Sequence, residues 1–178
     1  MTTIVRAQIA HVPKDPFFEE SALESLDDGG LAFSDGRIVA CGAFSEVSPA
    51  HPGASIVDAR GSILLPEAHE MQMLAPDGYR LGPEHLLYLA TGAGAQALGL
   101  SDEIGDLTPG KSADFVLVRP PEGSTLHEVL ERSESVEDSL GAVFTLAHEE
   151  SIAEVRVGGR VVWPRHPSLA IATTGWSG

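Results

Sequence analysis

Across Leu64-Leu65-Pro66-Glu67-Ala68-His69-Glu70 the chain changes its periodicity, and that change limits what it can fold into. Before the junction the apolar residues recur at the spacing of strands, and after it the spacing lengthens toward 3.6, that of a helix. Ile4 to Val12 is rich in apolar and β-branched residues and stops before Pro13. Asp35-Gly36 sits between two apolar runs, Gly30 to Ser34 and Arg37 to Gly42, and supplies the positive φ angles of a type I′ hairpin. Ser55 to Asp58 and Ser62 to Leu65 read as two short strands separated by a turn at Ala59-Arg60-Gly61. The acidic stretch Lys14 to Asp28, with Pro16 and the pair Phe17-Phe18, reads as a loop with a helical turn around Ser21 to Leu26.

Beyond the junction, Pro83 suits the first position of a helix. Leu86, Ala90, Ala93 and Ala97 fall on one stripe, and Leu87, Leu89 and Leu98 widen it until most of the perimeter is apolar. Such a helix expects cover on most sides, while Gly92, Gly94 and Gly99 allow close backbone approach or break it in two. Strands then return. Thr108-Pro109-Gly110 is a turn and Phe115 to Val118 a strand; Ser124 caps a short helix through Glu131, and Val136 to Ala147 is another. Ile152 to Val157 and Arg160 to Trp163 form a hairpin about Gly158-Gly159. The organisation is therefore four-part: residues 1–66, mostly strands; 68–101, helical; 102–163, strands and helices; and 164–178, an aperiodic tail. Neither group of strands makes a stable sheet alone.

Three motifs resemble the amidohydrolase family of metal-dependent hydrolases, with wording similar to its guanine deaminases. They are Asp35-Gly36-Arg37-Ile38-Val39-Ala40-Cys41-Gly42 with the nearby Ala50-His51-Pro52-Gly53; Leu87-Tyr88-Leu89-Ala90-Thr91 with Gly94-Ala95-Gln96-Ala97-Leu98-Gly99-Leu100; and Ile104 to Val118. The resemblance implies an α+β fold: a composite β-sandwich from both chain ends with two to four helices. A (β/α)8 barrel needs at least about 200 residues, and this chain has 178, both β-flanks included. In the family, the strand ending in Leu-Pro-Gly runs into a His-x-His pair that binds zinc. Here Pro66 is followed by Glu67-Ala68, and the chain contains no His-x-His. No residue is therefore assigned as catalytic, cofactor-binding or metal-binding, and the zinc of the family is not expected here.

The other candidate motifs yield to plain readings. His69-Glu70-Met71-Gln72-Met73 imitates a His-Glu-x-x-His helix with Met73 in place of the second histidine. His51 reads as a solvated loop residue, and His148 as the end of a helix. Gly105 to Ser112 matches the bare Gly-x-x-x-x-Gly-Lys-Ser pattern, but Pro109 removes a cradle amide and a strand follows where a phosphate loop needs a helix. Lys111 and Asp114 then fix a turn. Cys41 lies in an apolar strand and reads as a small core residue; as the lone cysteine it excludes an internal disulfide and suits a reducing cytoplasm. A net charge of −15 with eleven scattered basic residues argues against nucleic acid and anionic membranes. Met1 to Gln8 shows no basic stretch leading an apolar run.

The leading expectation is a catalytically silent composite domain of a guanine deaminase-like protein, soluble and cytoplasmic, with no small-molecule substrate. It is expected to form a homo-oligomer through the apolar helix 83–100. Two alternatives stand beside it: an internally deleted or engineered form of a full zinc guanine deaminase, and a stand-alone binding or oligomerisation module.

Overall fold

A computed structural model describes residues 1–19, 21–66 and 81–163, and the backbone of 171–172. Its strands are β1 (Thr3–His11), β2 (Glu24–Ser34), β3 (Arg37–Ala43), β4 (Ser55–Pro66), β5 (Phe115–Val118), β6 (Ile152–Val157), β7 (Arg160–Trp163) and β8 (Ile171–Ala172). Its helices are α1 (Phe44–Ala50), α2 (Pro83–Ala90), α3 (Gly92–Ala97), α4 (Thr125–Leu130) and α5 (Val136–Leu146). All strands belong to one sheet ordered β3-β2-β1-β4-β5-β6-β7, with β8 pairing β4. The fold is α+β without a barrel, and the two chain ends meet where Ile63–Pro66 of β4 pair antiparallel with Phe115–Val118 of β5.

The two layers of the sandwich are parts of this one sheet, curled on itself. β2 and β5 stand three strand spacings apart, about 14 Å if the sheet were flat. The rings of Phe33 on β2 and Phe115 on β5 nevertheless lie 5.9 Å apart between centroids. The bend brings the outer strand β3 onto the segment before β5. Ile38 N–H donates to Lys111 O (2.9 Å), Gly110 N–H to Ile38 O (2.9 Å) and Ala113 N–H to Gly36 O (2.9 Å). An edge that would otherwise offer unpaired backbone groups is thereby covered. Inside the curl lies the main core, including Val5, Ile9, Leu31, Phe33, Ile38, Leu64, Phe115 and Leu117. A second core, with Ile63, Leu65, Leu87, Leu126 and Leu140, joins the outer face to α2, α4 and α5.

Local chemistry explains the elements that the sequence announced. Asp35 (φ 53°) and Gly36 (φ 80°) make the left-handed pair of the β2–β3 turn. Ser124 Oγ accepts the His127 N–H (3.2 Å) at the start of α4, and Ser135 Oγ the Asp138 N–H (3.0 Å) at α5.

Several readings are corrected by long-range pairing. Glu24 to Leu26 belong to β2 rather than to a helical turn, because they pair with Ile9–His11. The stretch 55–65 is one strand, not two. Its pairing with β1 jumps from Arg6↔Asp58 to Gln8↔Ile63, so Ala59-Arg60-Gly61 is an irregularity in β4, with Gly61 at φ 80°. The helix α1 contains Pro49 and was not foreseen. Ile171–Ala172 pair with Ile56–Val57, so part of the stretch read as a tail joins the sheet. The helical stretch 83–100 is broken, as its glycines allowed, at Thr91 (φ −127°, ψ −83°). Its buried residues are Leu87, from the widened stripe, with Tyr88, Thr91 and Ala95, while Leu86, Ala90 and Ala93 are only half-buried and Ala97 is exposed, since no single stripe runs through a break.

Candidate functional site

Pro66, where the first β-segment leaves the sheet, opens onto an apolar groove between α2, α3 and the loop before β5. The groove encloses about 250 Å³ and is lined by Leu89, Ala90, Gly94, Leu98 and Ile104 among others. Two glycines permit this packing. A Cβ on Gly92 would meet the Tyr88 ring at 2.8 Å, and one on Gly105 (φ 106°) would meet Ala95 Cβ at 2.9 Å. Leu98, on the groove's lining, is 72% exposed, and Leu100 nearby in the chain is 38% exposed.

The polar residues beside the groove are committed to structure. Lys111 Nζ donates to Asp106 Oδ2 (2.6 Å) and Ile104 O (3.4 Å), while Asp106 Oδ1 accepts the Thr108 N–H (2.8 Å). Asp114 Oδ1 accepts from Ser112 Oγ (2.7 Å) and from the Gly158 N–H (2.7 Å), which ties this turn to the β6–β7 hairpin. The Gly105–Ser112 stretch thus leads into β5.

Histidines are dispersed by the fold. His11 is buried; its Nδ1 accepts the Leu107 N–H (3.3 Å), and its Nε2 lies 3.5 Å from Glu24. Burial pushes its pKa below the usual value, with Glu24 opposing. His85 Nδ1 accepts the Gly82 N–H (3.2 Å) at the start of α2, with Glu84 Oε1 at 2.8 Å. His51 ends α1, and His148 lies just beyond α5. His69 and Glu70 of the imitation metal motif, and His166, fall outside the described residues. Cys41 packs against the main core, and burial pushes its thiol up to about 12. A thiol shifted in that direction is held in its protonated form, the less nucleophilic one.

Among the described residues, one group of three metal-capable side chains converges: His127, Glu128 and Glu131, with ligand atoms within 4.8 Å of one another. Its chemistry does not fit a hydrolytic zinc. Both carboxylate side chains reach solvent, Glu128 on α4 and Glu131 at its C-terminal cap, and Glu128 is held by Arg132 at 2.9 Å. A zinc-bound histidine donates its other ring N–H to a fixed partner, whereas His127 Nδ1 is buried with none among the described residues.

Comparison with known proteins agrees with this picture of a β-domain. The model of the amidohydrolase family matches residues 53–162. A probable guanine deaminase of Deinococcus radiodurans is 53% identical over 94 residues, covering 53% of this chain and 21% of that protein. The guanine deaminase of Escherichia coli K12 is 40% identical over 102 residues, covering 57% of this chain and 23% of that protein. The chain thus spans about a fifth of the length of these relatives in the matched regions. Among solved structures, an E. coli guanine deaminase superposes with TM-score 0.79 at 14% identity, covering 93% of this chain and 100% of that one. A guanine deaminase from Bradyrhizobium japonicum does so with TM-score 0.72 at 11% identity and the same coverage. At these identities the superpositions speak for the fold alone.

Proposed function

We propose that this chain, which belongs to the amidohydrolase family, acts as the composite β-domain of a guanine deaminase-like protein and does not by itself deaminate guanine. The observation that carries the reading is the direct pairing of β4 with β5. The strand that leads toward the family's metal ligands already has its sheet partner from the far end of the chain. The domain closes on itself with none of the zinc-binding positions required for its core. The donor set points the same way: the sequence has no His-x-His, and His11 and His85 spend ring nitrogens on backbone amides.

The test is metal analysis by mass spectrometry on purified protein, with a guanine-to-xanthine assay on the same sample. The expected result is no stoichiometric zinc and no xanthine. About one zinc per chain together with turnover would overturn the reading.

A second reading concerns assembly. The exposed Leu98 and Leu100 beside the apolar groove favour a homo-oligomer through the 83–100 face, since apolar surface grouped in this way seeks cover. Size-exclusion chromatography with light scattering is expected to show a dimer or larger; a monomer across the accessible concentration range would refute it. Among the described residues no helix is long and apolar enough to cross a membrane, which is compatible with the cytoplasmic placement proposed here.

A further inference from the structure

Residues 104–113 hold the curl shut. They cover the β3 edge, where Ile38 bonds to Lys111 and Gly110 and where Ala113 bonds to Gly36. Ile104, Gly105, Asp106 and Ser112 from the same segment wall the apolar groove. Its hold on the sheet beneath includes one titratable group. Leu107 is 0% exposed, in the main core, and its N–H donates to Nδ1 of the buried His11 at the end of β1, at 3.3 Å.

An imidazole nitrogen accepts a hydrogen bond only while it is unprotonated. The bond from Leu107 therefore sets the tautomer: the single ring proton sits on Nε2, which faces the Glu24 carboxylate at 3.5 Å. A second proton, taken from solvent by Nδ1, turns this acceptor into a donor. The ring becomes a buried cation, and the Leu107 N–H is left facing another N–H. A buried amide without its acceptor bears the full cost of desolvation.

The charges around the ring set how far it resists that proton. From β2, Glu24 favours the imidazolium, but its side chain is 58% exposed and screened by water. From the 104–113 segment, Asp106 favours it and Lys111 opposes it, and these two offset each other across their 2.6 Å ion pair. On β3, Cys41 feels the same Glu24 and Asp106, and its thiol brings no charge of its own in acid. Burial outweighs them all and holds His11 below its usual value. Once the segment lifts, water reaches the ring and that value returns toward about 6.5. The closed form is thus at full strength above about pH 6.5. It weakens as pH falls below that, by at most about tenfold per pH unit for one proton.

We infer that His11 is an acid-sensitive latch: protonation at Nδ1 releases Leu107, lifts residues 104–113 from the sheet, uncovers the β3 edge and opens one wall of the groove. The device is independent of purine deamination, and no step of that chemistry uses it.

The test is hydrogen exchange of the full chain, followed amide by amide in 1H–15N spectra at about pH 7.5, 6.5 and 5 and expressed as protection relative to the unstructured rate. Leu107, Gly110, Ile38 and Ala113 are expected to lose protection together, by about tenfold between the last two pH values. The amides within β1, β2 and β4 should keep theirs. His11→Asn sets an amide oxygen where Nδ1 stands and does not titrate, so the four reporters should then change less than about twofold. Glu24→Gln keeps the test open should that variant not fold. It lies at an exposed position, removes the carboxylate that eases the imidazolium in the closed form, and should enlarge the acid loss about threefold. Protection lost evenly over the central strands would mean general acid unfolding and no latch. An undiminished pH response in His11→Asn would move the trigger to another group, such as Asp106. Either result, or an acid loss no larger in Glu24→Gln, overturns the proposal.

Discussion

Replacing Arg156 by methionine tests whether the curl of the sheet is fastened by a buried ion pair. Glu154 and Arg156 are neighbours on one side of β6, 0% and 6% exposed, and the guanidinium Nε donates to the Glu154 carboxylate. The same guanidinium donates through Nη1 to Gly159 O (3.1 Å) and stands 5.4 Å and 5.8 Å from the ring centroids of Phe33 and Phe115. It therefore meets both halves of the curled sheet and the β6–β7 turn at one point. Methionine keeps most of the volume but strips Glu154 of this cation in a buried setting. Breaking a buried pair from one side costs about 3–5 kcal/mol, whereas replacing both partners by apolar groups is often close to neutral. Arg156→Met should thus lower unfolding free energy by about 4 kcal/mol, and Glu154→Met/Arg156→Met should recover most of it. With a urea slope of about 2 kcal/mol/M, the single variant's midpoint falls by about 2 M in a denaturation curve followed by far-UV circular dichroism. A loss below about 1 kcal/mol in the single variant, or a double variant as unstable as the single, would refute the reasoning.

Three further perturbations probe separate parts of the fold. Gly159 (φ 72°) would place a Cβ 2.7 Å from the Phe33 ring, while Gly158 (φ 54°) has nothing within 4 Å of its Cβ position; Gly158→Ala should cost about 1 kcal/mol for the left-handed backbone, and Gly159→Ala measurably more in the same urea titration, so equal losses would deny the ring contact. Burial depresses the pKa of His11, so below the usual value of about 6.5 the unfolded chain binds the extra proton first; stability is full above that pH and declines as pH falls, and His11→Asn should flatten the slope between about pH 7 and pH 5 in thermal melts. Cys41, its thiol pushed up to about 12 by burial, should resist a thiol-reactive disulfide reagent at pH 8 in the native state and react in full in urea, so prompt native labelling would contradict its place against the core.

What could be read from the sequence was whatever is decided within a few residues. The Asp35-Gly36 and Gly158-Gly159 turns, the serine cap at Ser124, and Pro83 at the head of α2 each rest on local dihedral or hydrogen-bond requirements. What escaped is decided across the sheet. Glu24 and Ser25 are polar and exposed, which hides their strand character until β1 pairs with them. Ala59-Arg60-Gly61 has the composition of a turn, yet pairing with β1 on both sides keeps β4 continuous. The family likeness, by contrast, was readable because its motifs mark the segments that must find each other. Asp35-Gly36 turns the chain at the edge that residues 110–113 later cover, and the Ile104–Val118 segment delivers β5 to β4. A chain that keeps those segments keeps the means to close this sheet. If closure is what they serve here, the variants at Glu154, Arg156 and Gly159 should govern its stability without bearing on any hydrolytic chemistry.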